Sequence, residues 1–299
     1  MASTTATTTT AAPATRGTRS GSGAPARRTP PRLRTILITA AAYIIALIFI
    51  LPYLEMTITA LRPKSELLEQ NYLPHRFAWS NFTTIWSTGV GAALRVSLEV
   101  AGGATALVLL VAIPAAYYTA RRRFRGRTAF LLLVLVTQMF QPTALVVGIY
   151  GQFNALNLIN SDGALILVNA GFNMAFAIWI LNAYFGAIPK ELEEAALVDG
   201  CTRLTAMFRV VLPLALPGVV TALIFTFIAA WNEFIVALTL INTTGNAPLT
   251  VALNNFIGAY SVDWQHLFAG SVIATIPVII LFAMIERKVV SGLTAGSVK

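Results

Sequence analysis

The sequence predicts an all-α membrane protein with six transmembrane helices, both termini cytoplasmic and a helical connector between spans four and five. Three observations carry this class. Hydrophobic residues make up 57% of the 299-residue chain and charged residues only 11%, against roughly 25% charged in a soluble domain. Six apolar runs are each long enough to cross about 30 Å of hydrocarbon as helices. The 21 basic residues cluster between those runs rather than along one face.

In chain order, residues 1–34 are Thr, Ala, Pro, Gly, Ser and six arginines without apolar period, and read as a disordered basic tail. The first run, Thr35–Leu54, at about 20 residues is longer than the short apolar core of a signal peptide, and is expected to stay as an uncleaved span. Further spans are expected over Ala93–Ala120, Thr128–Tyr150, Gly163–Phe185, Ala215–Ile241 and Leu267–Ile285. Pro114, Pro142, Pro217 and Pro277 lie within them or near their ends, where neighbouring helices can cover freed carbonyls. With both termini inside, 17 of the 21 basic residues are cytoplasmic. Only Arg62, Lys64, Arg76 and Arg95 fall outside, so the positive-inside rule sets the orientation.

The connector, residues 188–213, concentrates the chain's scarce acids. Glu191, Glu193, Glu194 and Asp199 are four of only 12. Pro189 suits a helix start, the glutamates complement the positive helix end, and Gly200 terminates it. A second short helix is expected afterwards, with Leu204, Met207, Phe208 and Val211 on one apolar stripe. Exposed acids beside an apolar stripe suit either a well-capped loop or a docking element for a soluble partner.

The residues then point to a family. Glu194-Ala195-Ala196, Gly200, Val210 and Leu212-Pro213 resemble the EAA…G…I-x-LP signature of ABC importer permeases, with Val210 in the isoleucine place. The stretches AYYTARRRFRGR (116–127), IPKELEEAALVDG (188–200), AWNEFIVAL (230–238) and GLTAGSVK (292–299) resemble the carbohydrate-uptake branch, of the type of the maltose system's second membrane subunit. The resemblance covers about residues 36–299, making 35–299 the transmembrane domain. Val96-Ser97 and Glu99 depart from the family's pattern. The resemblance implies that the connector is a coupling helix gripped by a cytoplasmic ATPase through Glu194, Ala195, Ala196, Asp199 and Gly200. It also implies a second permease subunit, two ATPase subunits that bind ATP and magnesium, an extracytoplasmic solute-binding protein, and a plasma-membrane location.

Other chemistries lack their motifs. No G-x-x-x-x-G-K-[ST] loop occurs, so ATP hydrolysis is expected in another polypeptide, and neither a G-x-S-x-G elbow nor an H-E-x-x-H pair suggests catalysis. One cysteine (Cys201) and two histidines argue against disulfides and a metal cluster. No nucleic-acid recognition module accompanies the positive charge.

Within the spans, Glu233 is the one acid set well inside, about 12 Å of helix from the outer end. A carboxylate there needs a cavity or a partner, so Glu233 is a candidate acceptor for a sugar hydroxyl, with Trp231 and Asn232 beside it. A structural bond to a neighbouring helix is the alternative. Gln138, Gln141 and Asn173 are further path candidates, with Asn169 and Asn182 as additional polar residues. Interhelical hydrogen bonds of about 0.6 kcal/mol account for each alone. Arg95 and Glu99 sit one turn apart and are expected to pair locally, and the arginines of 121–127 to lie among anionic headgroups. The expected function is a carbohydrate importer permease driven by ATP. One rival is a secondary transporter using Glu233 as a proton site, and another is a membrane-embedded enzyme.

Overall fold

Apolar runs in hydrocarbon fold as helices because a helix satisfies its own backbone donors and acceptors. The computed structural model describes residues 32–67 and 73–295, and those residues are helical apart from turns and one isolated bridge between Ile257 and Val262. The basic tail up to residue 31 and the last four residues of GLTAGSVK lie outside the described residues.

The chain divides into two units, residues 1–51 and 52–299. Helix α1 (Arg32–Ala60) begins in the first, where Thr35 to Leu51 are exposed throughout. Being apolar on all sides, this stretch suits hydrocarbon. Pro52 lies inside α1 at the boundary between the units.

The second unit is built on α3 (Val90–Arg121), α6 (Asp162–Ala187) and α10 (Leu216–Trp231). Ala101, Ala104, Ala112, Ala116 and Ala177 are fully buried on α3 and α6, and Ala170 nearly so. Small residues let helix backbones approach closely, the usual way helices associate where lipid is as apolar as leucine. A Cβ at Gly218 of α10 would collide with the ring of Tyr184 on α6, so that contact needs glycine. The last long helix, α13 (Trp264–Ala295), contributes Ala269 and Ile273 to a core shared with α3 and α10.

Among the described residues, four helices are long and apolar enough to cross a membrane alone: Thr35–Ala60, Val90–Arg121, Asp162–Ala187 and Trp264–Met284. Two further candidates are bent pairs among the described residues; the first of them, and a separate break after α10, correct the expectation of continuous spans. The run expected over Thr128–Tyr150 is α4 (Arg127–Thr137) and α5 (Pro142–Ala155), meeting at 94°. Pro142 has no amide hydrogen and pushes the preceding residue out of the helical region; Gln141 takes φ −73°, ψ 140°. The run expected over Ala215–Ile241 is α10 followed, after a break at 232–234, by α11 (Ile235–Leu240). A 79° bend separates α10 from the segment Arg203–Leu214 before it. Short α2 (Ser80–Thr84) precedes α3.

Candidate functional site

Two regions gather the residues singled out by sequence. The first is the connector. Helix α7 (Lys190–Val198) starts after Pro189, carries Glu191 and Glu193 in its first turn, and closes around Gly200 at φ +87°. The Cys201 amide donates to the Ala196 carbonyl at 3.0 Å and the Gly200 amide to Leu197 at 3.1 Å. This is the Schellman pattern, which requires a left-handed residue and therefore favours glycine. Glu194, Ala195, Asp199 and Gly200 are exposed, whereas Ala196 turns inward.

The chain continues through α8 (Arg203–Ala206), a π-turn over Met207–Val211 and α9 (Leu212–Leu214). The expected single stripe is corrected here. Met207 and Val211 are buried, but Leu204 and Phe208 are 64% and 52% exposed. The wide π-turn re-registers the helix and splits the stripe into an inward and an outward pair. With Val198, the outward pair gives the acidic connector an exposed apolar surface.

The second region is the break after α10. The Glu233 carboxylate accepts from the Val236 amide at 2.7 Å and the Ala237 amide at 2.9 Å, capping α11 with both oxygens. The Glu233 carbonyl accepts from the Thr250 hydroxyl on α12 (Leu249–Asn254) at 2.8 Å. Ser97 of α3 caps α12 in turn, its hydroxyl oxygen accepting the Leu249 amide at 2.7 Å. A void of about 10 Å³ beside Glu233 is bordered by Ser97 and Asn169.

Trp231 and Asn232 line a separate cavity of about 400 Å³ with Tyr53, Thr250, Ser271 and Thr275. The Trp231 ring is 5% exposed, stacks on Phe227, and donates from Nε1 to the Ala274 carbonyl at 3.2 Å. The cavity thus offers hydroxyls, an amide and an aromatic wall. Its hydroxyls were not legible in sequence, because single Ser and Thr residues in apolar helices carry no periodic signal.

The remaining polar candidates run along α6. Asn169 and Asn173 donate to carbonyls one turn back, at 2.9 and 2.8 Å, and Gln138 reaches the Phe172 carbonyl at 3.4 Å. Gln141 lies in the bend between α4 and α5 and is not among the residues lining the Trp231 cavity. Asn182 donates to the Thr119 hydroxyl at 2.7 Å, an interhelical bond. Arg95 and Glu99 pair at 2.7 Å as spacing predicts, with side chains 80% and 47% exposed.

Apolar helices broken around a polar cavity, joined to an acid-rich connector with an exposed apolar surface, define an integral-membrane transport component. The chain belongs to the family described as binding-protein-dependent transport system inner membrane component, whose profile matches residues 110–292. It is 35% identical to the sulfoquinovosyl glycerol transport system permease protein SmoH of Agrobacterium fabrum, covering 87% of this chain and 92% of that protein. It is 33% identical to the trehalose transport system permease protein SugB of Mycobacterium tuberculosis, covering 84% and 92% respectively. A chain of a bacterial ABC transporter involved in alginate import shares the fold, with TM-score 0.75, 23% identity, and coverage of 87% of this chain and 99% of that one. The family makes the chain a permease subunit of an ABC importer, and the secondary-transporter alternative gains no support.

Proposed function

We propose that the chain is one of two membrane subunits of an ATP-driven importer that carries a sugar or oligosaccharide across the plasma membrane. The observation that carries the reading is helix α7, closed at Gly200 and exposing Glu194, Ala195 and Asp199, in a chain of this family. The sugar transporters it resembles support a carbohydrate substrate. In this reading α1, α3, α6, α13, the bent pair of α4 and α5, and α10 continued by α11 make six spans with both termini cytoplasmic.

Helix α7 is then the coupling helix, received by one of two ATPase subunits that hold ATP and magnesium. A solute-binding protein delivers the sugar from outside. ATP binding closes the ATPase pair and carries the connector with it, swinging the two permeases between inward- and outward-facing states. The sugar passes the cavity of Trp231 and Asn232, where an aromatic face and hydroxyls suit a polyhydroxylated ring. Glu233 serves the path by fixing the break that presents those residues. Gln138, Gln141 and Asn173 extend it along α6 and its neighbouring bend. The exposed Arg95–Glu99 pair is poorly suited to lipid and belongs on the face toward the second permease.

The test is to co-purify the assembled complex in lipid and screen sugars, with the binding protein present, for stimulation of ATP hydrolysis. Stimulation by one class of sugar is expected. Stimulation by amino acids or ions alone would refute the carbohydrate assignment.

A further inference from the structure

The acids of α7 divide sharply by environment. Glu191 and Glu194 are exposed, whereas Glu193 is 8% exposed and points back into the protein. Its partners come from the end of α3, 76 residues earlier in the chain: the Tyr117 hydroxyl donates to Glu193 Oε1 at 2.5 Å. Arg121 Nε lies 3.1 Å from Glu193 Oε2, a charge contact without hydrogen-bond alignment. The side chains of that ion pair are only 6% and 10% exposed.

Arg121 does more than pair with Glu193. Its Nη1 donates to the Ile188 carbonyl at 2.8 Å, in the corner where α6 gives way to α7. The Tyr117 ring meets Phe185 of α6 edge-on, with centroids 6.1 Å apart. Helix capping alone does not explain this arrangement. A carboxylate helping the helix dipole works as well in water, as Glu191 does, and burying an ion pair carries a desolvation cost that surface pairs avoid. What a buried pair with directed hydrogen bonds supplies is a fixed relative geometry of the elements it joins.

We propose that Glu193, Tyr117 and Arg121 lock the connector helix α7 to the end of α3, so that the two move as one rigid body during transport. The proposal rests on the importer reading and assigns positioning roles to residues outside the exposed docking face. Displacing α7 would then swing α3, the helix that carries Ser97 and supports α12 beside the break at Glu233. A joint that yielded would let α7 follow the ATPase while α3 stayed behind.

The test uses the full complex in lipid, with spin labels at Leu110→Cys on α3 and Lys190→Cys on α7 in a Cys201→Ser background. Distances are measured before and after trapping with ATP and vanadate. The unaltered joint is expected to give one narrow distance that trapping leaves unchanged. Tyr117→Phe, which keeps the ion pair, should broaden the distribution, and Glu193→Gln, which removes the carboxylate charge beside Arg121, should broaden it and shift it on trapping. Should Glu193→Gln fail to assemble, Tyr117→Phe decides. A distance that changes on trapping with the joint intact, or variants as narrow and constant as the parent, would overturn the lock while leaving the importer reading standing. A complex that shows no ATP-dependent trapping would overturn both.

Discussion

Glu233 illustrates how a single buried acid can be read two ways until its partners are known. Composition marks it as costly in hydrocarbon, and the structure supplies an internal use: two backbone amides at the start of α11 bind both carboxylate oxygens. Caps of this kind are worth about 0.5–2 kcal/mol. Glu233→Gln keeps one acceptor oxygen and should retain part of the cap, whereas Glu233→Ala leaves both amides open. The expected order of uptake and of thermal midpoint for the purified complex is therefore parent, glutamine, alanine. Equal loss of uptake in both variants with unchanged midpoints would instead indicate a proton-carrying role. Unchanged uptake in Glu233→Ala would remove the residue from the path. Ser97 is coupled to the same break through α12, so Ser97→Ala should lower the midpoint by a similar mechanism.

At the scale of the element, α7 and its glycine make a sharper prediction. No heavy atom lies within 4 Å of a Cβ built on Gly200, so a substitution there is resisted by backbone conformation and not by crowding within this chain. A left-handed geometry costs roughly 1–2 kcal/mol for an ordinary residue and less for asparagine. Gly200→Leu should therefore uncouple ATP hydrolysis from uptake while the protein remains in the membrane, and Gly200→Asn should restore much of the coupling. Equal defects in both variants would mean that side-chain bulk at the docking face is what matters. The connector's start, stop and acidic face were legible because caps and glycine termini are local signals. The inward turn of Glu193 was not, since its partners lie 76 residues away and only packing brings them together. The breaks at Gln138–Gln141 and 232–234 were likewise hidden inside apolar runs. Pro142 marked the first locally, but nothing in the Trp231–Phe234 stretch announced that a glutamate would cap a new helix.

For the whole molecule, apolar length and basic-residue placement made the helical membrane class readable, while the order in which helices pack depends on small residues scattered over α3 and α6. Orientation makes one measurement decisive. The chain holds a single cysteine, Cys201, placed just after Gly200 and half-buried. With 17 of 21 basic residues assigned to the inner side, the proposed topology puts this thiol in the cytoplasm. A membrane-impermeant maleimide should therefore label this chain in inside-out vesicles and leave it unlabelled in intact cells, with detergent-unfolded protein showing that the thiol itself reacts. Because Cys201 borders the proposed docking helix, adding back the ATPase subunits to stripped vesicles should slow the reaction. Labelling from outside intact cells would reverse the topology and place α7 beyond the reach of any cytoplasmic ATPase. Labelling from inside at a rate indifferent to the ATPase would keep the topology but move the docking surface away from Gly200, toward the exposed Leu204 and Phe208.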